Sequence, residues 1–121
     1  MASVSSGRAT FIAAAVIPTG SRVKYAGNRT VTIAAAADQE IGVSGEQQVS
    51  VAVGGAVEVL LCNEPGTRFV LAGGVVADGD EVKRDAAGKV TTGAAGTVYG
   101  IALGGGIAND LIEVLPLPID A

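Results

Sequence analysis

The residues best suited to chemistry in this sequence are four acidic side chains close together, Asp78, Asp80, Glu81 and Asp85, with Gly79 among them. The spacing Asp78-x-Asp80 is how a calcium-binding EF-hand loop begins, because alternate positions of that loop supply carboxylate ligands. The loop also needs a glycine at its sixth position and a bidentate glutamate at its twelfth. Neither residue stands at that position here, so the cluster is predicted to be a solvated turn.

The dipeptide Gly88-Lys89 is a second candidate, because a Gly-Lys pair closes the loop that binds phosphates in many nucleotide-binding proteins. Such a loop needs another glycine five positions earlier and a serine or threonine after the lysine. This chain has Lys83 and Val90 at those two positions. The sequence therefore argues against a phosphate-binding loop.

The sequence lacks most of the residues that usually carry out nucleophilic or metal-assisted catalysis. The chain has no histidine, which is the commonest general base and transition-metal ligand, and it has a single cysteine, Cys62. Cys62 follows two leucines and has no histidine to activate it, so we expect a small core residue. The sequence therefore predicts no enzymatic activity, no metal site and no cofactor.

The elements that carry these residues are predicted to be short β-strands. The 121 residues are the length of one domain. Only 3% are aromatic and 18 are glycine, so the core must be aliphatic and the chain must turn often. Valine and isoleucine are abundant and suit a pleated sheet. The predicted fold class is mainly β, a small single-domain β-barrel or β-sandwich (β-tulip-like) with at most one or two short helical turns.

Alternation of apolar and polar residues locates the strands. Val49–Val53 alternate, Gly54-Gly55 interrupt the run and Val57–Leu61 continue it, which predicts a hairpin. Weak helical signals occur only at Ala34–Ala37 and at Ile107–Asp110. The other predicted strands are Ser21–Ala26, Val31–Ala34, Ile41–Ser44, Thr67–Leu71, Glu81–Arg84, Lys89–Thr92, Thr97–Leu103 and Leu111–Leu115.

The sequence also repeats itself at an interval of about half its length. Residues 20–24 and 79–83 share glycine, valine and lysine at an offset of 59, and residues 41–43 and 99–101 share a glycine between apolar residues at an offset of 58. Each copy is expected to end in an apolar strand, Val49–Val53 or Leu111–Leu115. The repeat predicts two similar β-units whose apolar faces close on each other.

Charge is distributed unevenly along the chain. The net charge is −4, yet residues 1–37 hold four basic and no acidic residues. An acidic chain with few aromatic residues lacks the basic face and the stacking surfaces that nucleic-acid binding needs. The asymmetry suggests one face that meets an acidic partner, or charges simply scattered over the fold. No apolar segment is long enough to span a bilayer, so neither nucleic acid nor membrane is an expected partner.

The N-terminal residues are predicted to contact a partner. Met1–Thr10 is polar and rich in small residues, with nothing to hold it on a core. Such a segment can add a strand to an exposed sheet edge of another protein, or it can pack on its own domain; the partner contact is favoured here. The predicted organisation is an arm of residues 1–12, followed by a β-rich domain of residues 13–121. The predicted partner contacts are Ala2, Ser3, Val4, Ser5, Ser6, Arg8, Phe11 and Ile12.

The second half of the sequence resembles the capsid decoration (cement) proteins of tailed bacteriophages, of the lambda head-decoration type. The resemblance lies in a Gly-Asp turn leading to a strand, an Asp-x-x-Gly-Lys turn, an aliphatic-Gly-aliphatic-Ala strand and a final strand. These are GGVVADGDEV at 73–82, DAAGKV at 85–90, VYGIAL at 98–103 and DLIEVLP at 110–116. The resemblance extends over about residues 16–118, although Pro18–Ser21 stands in the first copy where the acidic turn would be.

This resemblance implies a non-enzymatic structural protein of the virion. Members of the family bind the outer surface of the phage head as trimers, and their partner is the major capsid protein. They stabilise the capsid lattice against internal DNA pressure, and they are made in the host bacterial cytoplasm. In several members the N-terminal arm extends a strand of the coat protein, which agrees with the arm predicted here.

Three other interpretations fit parts of the sequence. A biotinyl- or lipoyl-type carrier is also a small double-repeat β-module, but its modified lysine usually stands beside methionine, and Met1 is the only methionine here. A host-binding protein at a virion tip would normally use exposed aromatic residues, which are scarce. A β-domain without any assembly role would be a monomer.

Overall fold

The computed structural model describes residues 8–45, 50–62, 66–93 and 97–117. These residues form twelve strands and contain no helix, and so none that could cross a membrane. The strands are β1 (Arg8–Ala13), β2 (Ile17–Pro18), β3 (Arg22–Gly27), β4 (Thr30–Ile33), β5 (Gly42–Ser44), β6 (Ser50–Val51), β7 (Ala56–Leu61), β8 (Arg68–Leu71), β9 (Glu81–Arg84), β10 (Val90–Thr91), β11 (Val98–Ala102) and β12 (Leu111–Pro116). The predicted all-β fold is confirmed.

The first half of the chain forms a closed five-stranded barrel in the order β1-β4-β3-β5-β7. Strands β1 and β4 are parallel, and every other pair is antiparallel. Alternate side chains point inward because successive residues of a strand face opposite sides. Its core comprises Phe11, Ala13, Ile17, Val23, Val31, Val51, Val57 and Val59.

The second half forms a five-stranded sheet in the order β10-β9-β11-β12-β8. It curls so that its end strands nearly meet, and a single parallel bridge between Ala72 and Val90 joins them. Its core is again aliphatic, with Tyr99 as its one aromatic member. Val43 of β5 also belongs to this second core, so the first barrel contributes directly to the packing of the second sheet.

The two halves are copies of one unit, as the sequence predicts. The parallel pair Ala13–Val31 recurs as the bridge Ala72–Val90, each residue 59 positions later. The antiparallel pair Val43–Leu60 recurs as Ile101–Leu115, at offsets of 58 and 55. The small pair formed by β2 and β6, Ile17–Val51, recurs as the bridge Val76–Gly106. Pairing partners are thus conserved while the loops between them change length.

Two predictions about the end of the first copy are wrong. Strand β6 pairs with β2 and does not form a hairpin with β7, which instead lies between β1 and β5. The turn after β6 explains this, because Gly54 N–H donates to the Ala13 carbonyl and directs the chain toward β1. The counterpart of Leu111–Pro116 is therefore Ala56–Leu61, and not Val49–Val53.

The boundary predicted after residue 12 also needs correction. It falls inside β1, whose residues from Arg8 to Ile12 pair with β7 in unbroken register. Strand β1 also closes the barrel against β4. The β-domain therefore includes β1, and residues 1–7 come before the barrel in the sequence.

One glycine in each half permits the closest approach of two strands. Gly42 on β5 and Gly100 on β11 are 58 residues apart and occupy the same place in the repeat. A Cβ added at Gly42 would collide with the Leu60 carbonyl oxygen, and one at Gly100 would collide with that of Leu115. Backbone atoms cannot move aside cheaply, so both positions require glycine.

We expect Gly42→Ala and Gly100→Ala each to lower the free energy of unfolding by about 2 kcal/mol or more, because each overpacks a strand pair. Chemical denaturation followed by circular dichroism measures the loss. The control is Gly104→Ala, where an added Cβ would contact nothing and the change should stay within about 0.5 kcal/mol. Equal effects at all three glycines would contradict this account.

Candidate functional site

The two halves are joined at the open edge of the second sheet, between β8 and β10. In the first barrel the corresponding edge, between β1 and β4, is closed, and the Ile12 N–H there donates to the Arg29 carbonyl at 2.8 Å. The equivalent residues of the second half, Leu71 and Gly88, bond elsewhere. Leu71 N–H donates to the carbonyl of Gly20 (2.9 Å), and the Gly88 carbonyl accepts the N–H of Arg22 (2.8 Å). The first barrel thus inserts the start of β3 into the second sheet.

The Arg22 side chain follows its backbone into this junction and is fully buried. Its Nε donates to the Lys89 carbonyl at 3.2 Å, and one terminal nitrogen donates to the Asp85 carbonyl at 2.7 Å. The other terminal nitrogen donates to Glu40 Oε1 at 3.0 Å. Every guanidinium nitrogen therefore has an acceptor, which a buried cation requires.

Glu40 lies between two arginines, one from each half. It stands on the connection from β4 to β5, and Arg84 of β9 binds it in bidentate fashion, with Nε–Oε1 at 2.7 Å and Nη2–Oε2 at 2.9 Å. All three side chains, Arg22, Glu40 and Arg84, are at least nine-tenths buried. We call these three residues the charge cluster.

The electrostatics of the charge cluster favour its ionised form. Burial alone raises the pKa of Glu40, but hydrogen bonds and positive charge from Arg84 and Arg22 outweigh it and hold that pKa below its ordinary value. Burial lowers the pKa of Arg22, with Glu40 opposing the effect. The hydrogen bonds to Glu40 raise the pKa of Arg84. Glu40 is therefore a carboxylate at neutral pH.

A recess of about 150 Å³ lies beside the charge cluster. The Arg84 guanidinium stacks 5.4 Å from the centre of the Tyr99 ring, and burial raises the pKa of that tyrosine. Arg84 also donates to Thr97 Oγ1 and to the Val98 carbonyl. Its donors are thus engaged within the protein. The lining residues are Gln39, Glu40, Cys62, Arg68, Arg84, Tyr99, Pro116 and Leu117.

Cys62 is not the core residue that its leucine neighbours predict. It is exposed, in the turn after β7, where its N–H donates to the Ile41 carbonyl. Its counterpart in the second half is Leu117, whose N–H donates to the Tyr99 carbonyl. Both residues stand just beyond the last strand of their half, where the inward pattern of that strand no longer applies.

Two of the four clustered acidic residues, Asp80 and Asp85, cap turns. Asp80 Oδ2 accepts the Ala77 N–H at 2.9 Å, and Asp85 Oδ1 accepts the N–H groups of Ala87 and Lys89, each at 2.9 Å. Such carboxylates satisfy turn backbone rather than a ligand. Within the described ranges, no group of three or more acidic, cysteine or histidine side chains is placed to hold a metal ion.

The basic N-terminal third does not present its charges as one free patch. Arg22 is buried against Glu40, and Lys24 Nζ lies 2.9 Å from Asp38. The Arg29 guanidinium lies 4.7 Å from the centre of the Phe11 ring. Two of the four basic residues in this part of the sequence, Arg22 and Lys24, are therefore paired with carboxylates.

The predicted partner contacts divide into three groups. Ala2, Ser3, Val4, Ser5 and Ser6 lie outside the described residues. Arg8 and Ile12 belong to β1, and Ile12 is 40% exposed. Phe11 is 7% exposed and packs in the barrel core, with its ring edge-on to Tyr25. The expected anchoring role of Phe11 is thus corrected, because its side chain is already used by the fold.

Sequence reasoning missed the charge cluster. Arg22 interrupts the repeat, because the position equivalent to it in the second half holds Glu81, which is exposed. The available signal was this mismatch between the two copies: Arg22 is basic, whereas Glu81 is acidic. Glu40 carries no pattern of its own, since it lies in a connection between strands.

We expect Glu40→Gln to lower the free energy of unfolding by about 3 kcal/mol or more at neutral pH, because it leaves two arginines buried without a counter-charge. The folded-state pKa of Glu40 is lowered, so its contribution is complete above the ordinary glutamate pKa of about 4.3 and is lost as the pH falls toward the folded-state value. Denaturant unfolding across this acidic range should therefore be less pH-dependent in the variant than in the wild-type protein.

The control for this substitution is Glu81→Gln on the exposed face of β9, which should change stability by no more than about 0.5 kcal/mol. If Glu40→Gln and Glu81→Gln had the same stability and the same acid profile, the charge cluster would not hold the halves together.

Comparison with known proteins identifies a similar fold. No family model matches the sequence, and no curated protein matches it. The chain is similar to the crystal structure of the N base of the head fiber gp8.5 of bacteriophage phi29, with a TM-score of 0.71 and 18% sequence identity. The match covers 91% of this chain and 92% of that one. The two chains thus share the whole tandem β architecture.

Proposed function

We propose that the protein is a structural virion protein that decorates the outside of a bacteriophage head. The observation that carries the proposal is the shared fold with the head fiber base of phi29, which extends over nine-tenths of both chains. The sequence resemblance to capsid decoration proteins points independently to the same part of the virion. The role is mechanical rather than enzymatic, and it needs no cofactor.

In this proposal the protein binds the major capsid protein as a homotrimer and stabilises the capsid lattice against the pressure of packaged DNA. The charge cluster supports such a mechanical role, because its buried, charge-assisted hydrogen bonds join the two halves. Three copies bound to neighbouring coat subunits also gain from effective concentration, so each single contact can be weak.

The segment proposed to reach the coat protein is the one preceding the barrel, Ala2–Ser6, together with the exposed Ile12 and with Arg8. Strand β1 already pairs with β7 and β4, so the coat protein would pair with residues before Arg8. Strand addition by such a segment supplies backbone hydrogen bonds without rearranging the barrel.

We expect the full chain to co-sediment with expanded, undecorated phage heads at close to one copy per coat subunit. Deleting residues 2–7 should weaken this binding while leaving the thermal unfolding of the free protein unchanged, because the barrel begins at Arg8. Quantitative gel densitometry of the pelleted heads measures how much of each protein is bound.

A matched control keeps the length of residues 2–7 but scrambles their order, which separates the effect of sequence from that of chain length. Failure of the full chain to bind any head tested would overturn the decoration role. Equal binding by the full and shortened chains would remove the N-terminal segment from the contact.

A further inference from the structure

The second sheet carries a largely apolar surface on its outer side, with Glu113 among its residues. Strands β8 and β12 pair Leu71 with Leu111, and β12 and β11 pair Leu115 with Ile101. These residues alternate with buried ones, so they face away from the core. We call this surface the outer face; it comprises Phe69, Leu71, Ile101, Leu103, Leu111 and Leu115.

The side chains of the outer face are substantially exposed. Phe69 and Leu111 are each 42% accessible, Leu115 is 40% and Leu103 is 46%. Glu113 lies among them, opposite Phe69, and its Oε2 accepts a hydrogen bond from Thr67 Oγ1 at 2.7 Å. The carboxylate near the middle of the face thus has a partner of its own within the sheet.

The first barrel shows that the fold does not need this apolar surface. Its strands have the same pairing, yet Phe69 is replaced there by Thr10 and Leu111 by Ala56. Leu103 is replaced by Gly45, while Glu113 remains a glutamate, Glu58. The other three positions stay apolar in the first barrel, where Ile12, Val43 and Leu60 stand in place of Leu71, Ile101 and Leu115. The second sheet therefore carries larger apolar side chains at three positions of the same surface.

We infer that the outer face is where copies of this chain bind one another. Four side chains left about two-fifths exposed contribute roughly 300 Å² of apolar area, which is within the range of the largest apolar patch on a typical monomer, a patch that is often functional. A standard interface buries about 800 Å² per partner around an apolar centre, so the outer face matches the centre of such an interface. Interfaces between identical subunits are more apolar than other interfaces, which favours a second copy of this chain as the occupant of the outer face.

This inference rests on the proposed function only for the number of copies, which is three. It assigns the self-contact to the outer face and leaves residues 2–7 for the coat protein. The two contacts then use different parts of the molecule, and they can be tested separately.

The test is Phe69→Lys, compared with Thr10→Lys as its matched control. The two positions are equivalent in the repeat, and each introduced lysine would face a cross-strand glutamate, Glu113 or Glu58. Sedimentation equilibrium without heads measures self-association. The wild-type chain and Thr10→Lys should form the same oligomer, and Phe69→Lys should weaken it by about tenfold or more. Thermal unfolding confirms that each variant is folded.

A wild-type chain that stays monomeric to its solubility limit would overturn the inference, as would a folded Phe69→Lys protein that associates like the wild type. Head binding is decided by the co-sedimentation assay. An oligomer that binds no head would overturn the decoration role and leave the outer face as the self-contact.

Discussion

The structure depends on burying one arginine where two β-units meet. Arg22 is fully buried, and the free energy lost on removing its guanidinium from water is offset by acceptors from both halves. These acceptors are the carbonyls of Asp85 and Lys89 and the carboxylate of Glu40. Arg84 then binds the same carboxylate from the other side. Because each charge is satisfied only when both halves are in place, the cluster makes the relative position of the halves specific as well as stable.

Duplication followed by divergence explains where the two halves differ. Their strand pairings match residue for residue, and both use a glycine, Gly42 or Gly100, at the closest strand approach. They differ at one edge. In the first half β1 pairs with β4, whereas in the second half Gly20 and Arg22 lie between β8 and β10. They differ again on the outward side chains, where Thr10 is matched by Phe69. The two halves thus share one backbone arrangement but present different side chains on their outward surfaces.

Much of this fold could be predicted from the sequence, because half-buried strands alternate with a period of two and the repeat is visible in glycine and valine spacing. Strand Glu81–Arg84 was located to the residue. Strand β1 was not, because Arg8–Ala13 shows no clear alternation of apolar and polar residues: Phe11, Ile12 and Ala13 are consecutive apolar residues. The partner of β6 was missed since Gly54-Gly55 favours a hairpin locally, whereas the bond from Gly54 to Ala13 is a tertiary one. The charge cluster depends on residues 18 and 44 positions apart, which no local pattern encodes.

The closed edge of the first barrel has a further consequence for assembly. An interface in which one unit inserts into the next is head-to-tail, and such interfaces can propagate into open filaments. In this protein the first barrel inserts into the second sheet, but its own equivalent edge is closed to a further insertion. A second molecule offering Gly79 and Glu81 in place of Gly20 and Arg22 would have to break the Ile12–Arg29 backbone bond to enter. Its carboxylate could not donate to the waiting carbonyls. The backbone bond that completes the first barrel therefore also disfavours insertion of a second molecule at the same edge.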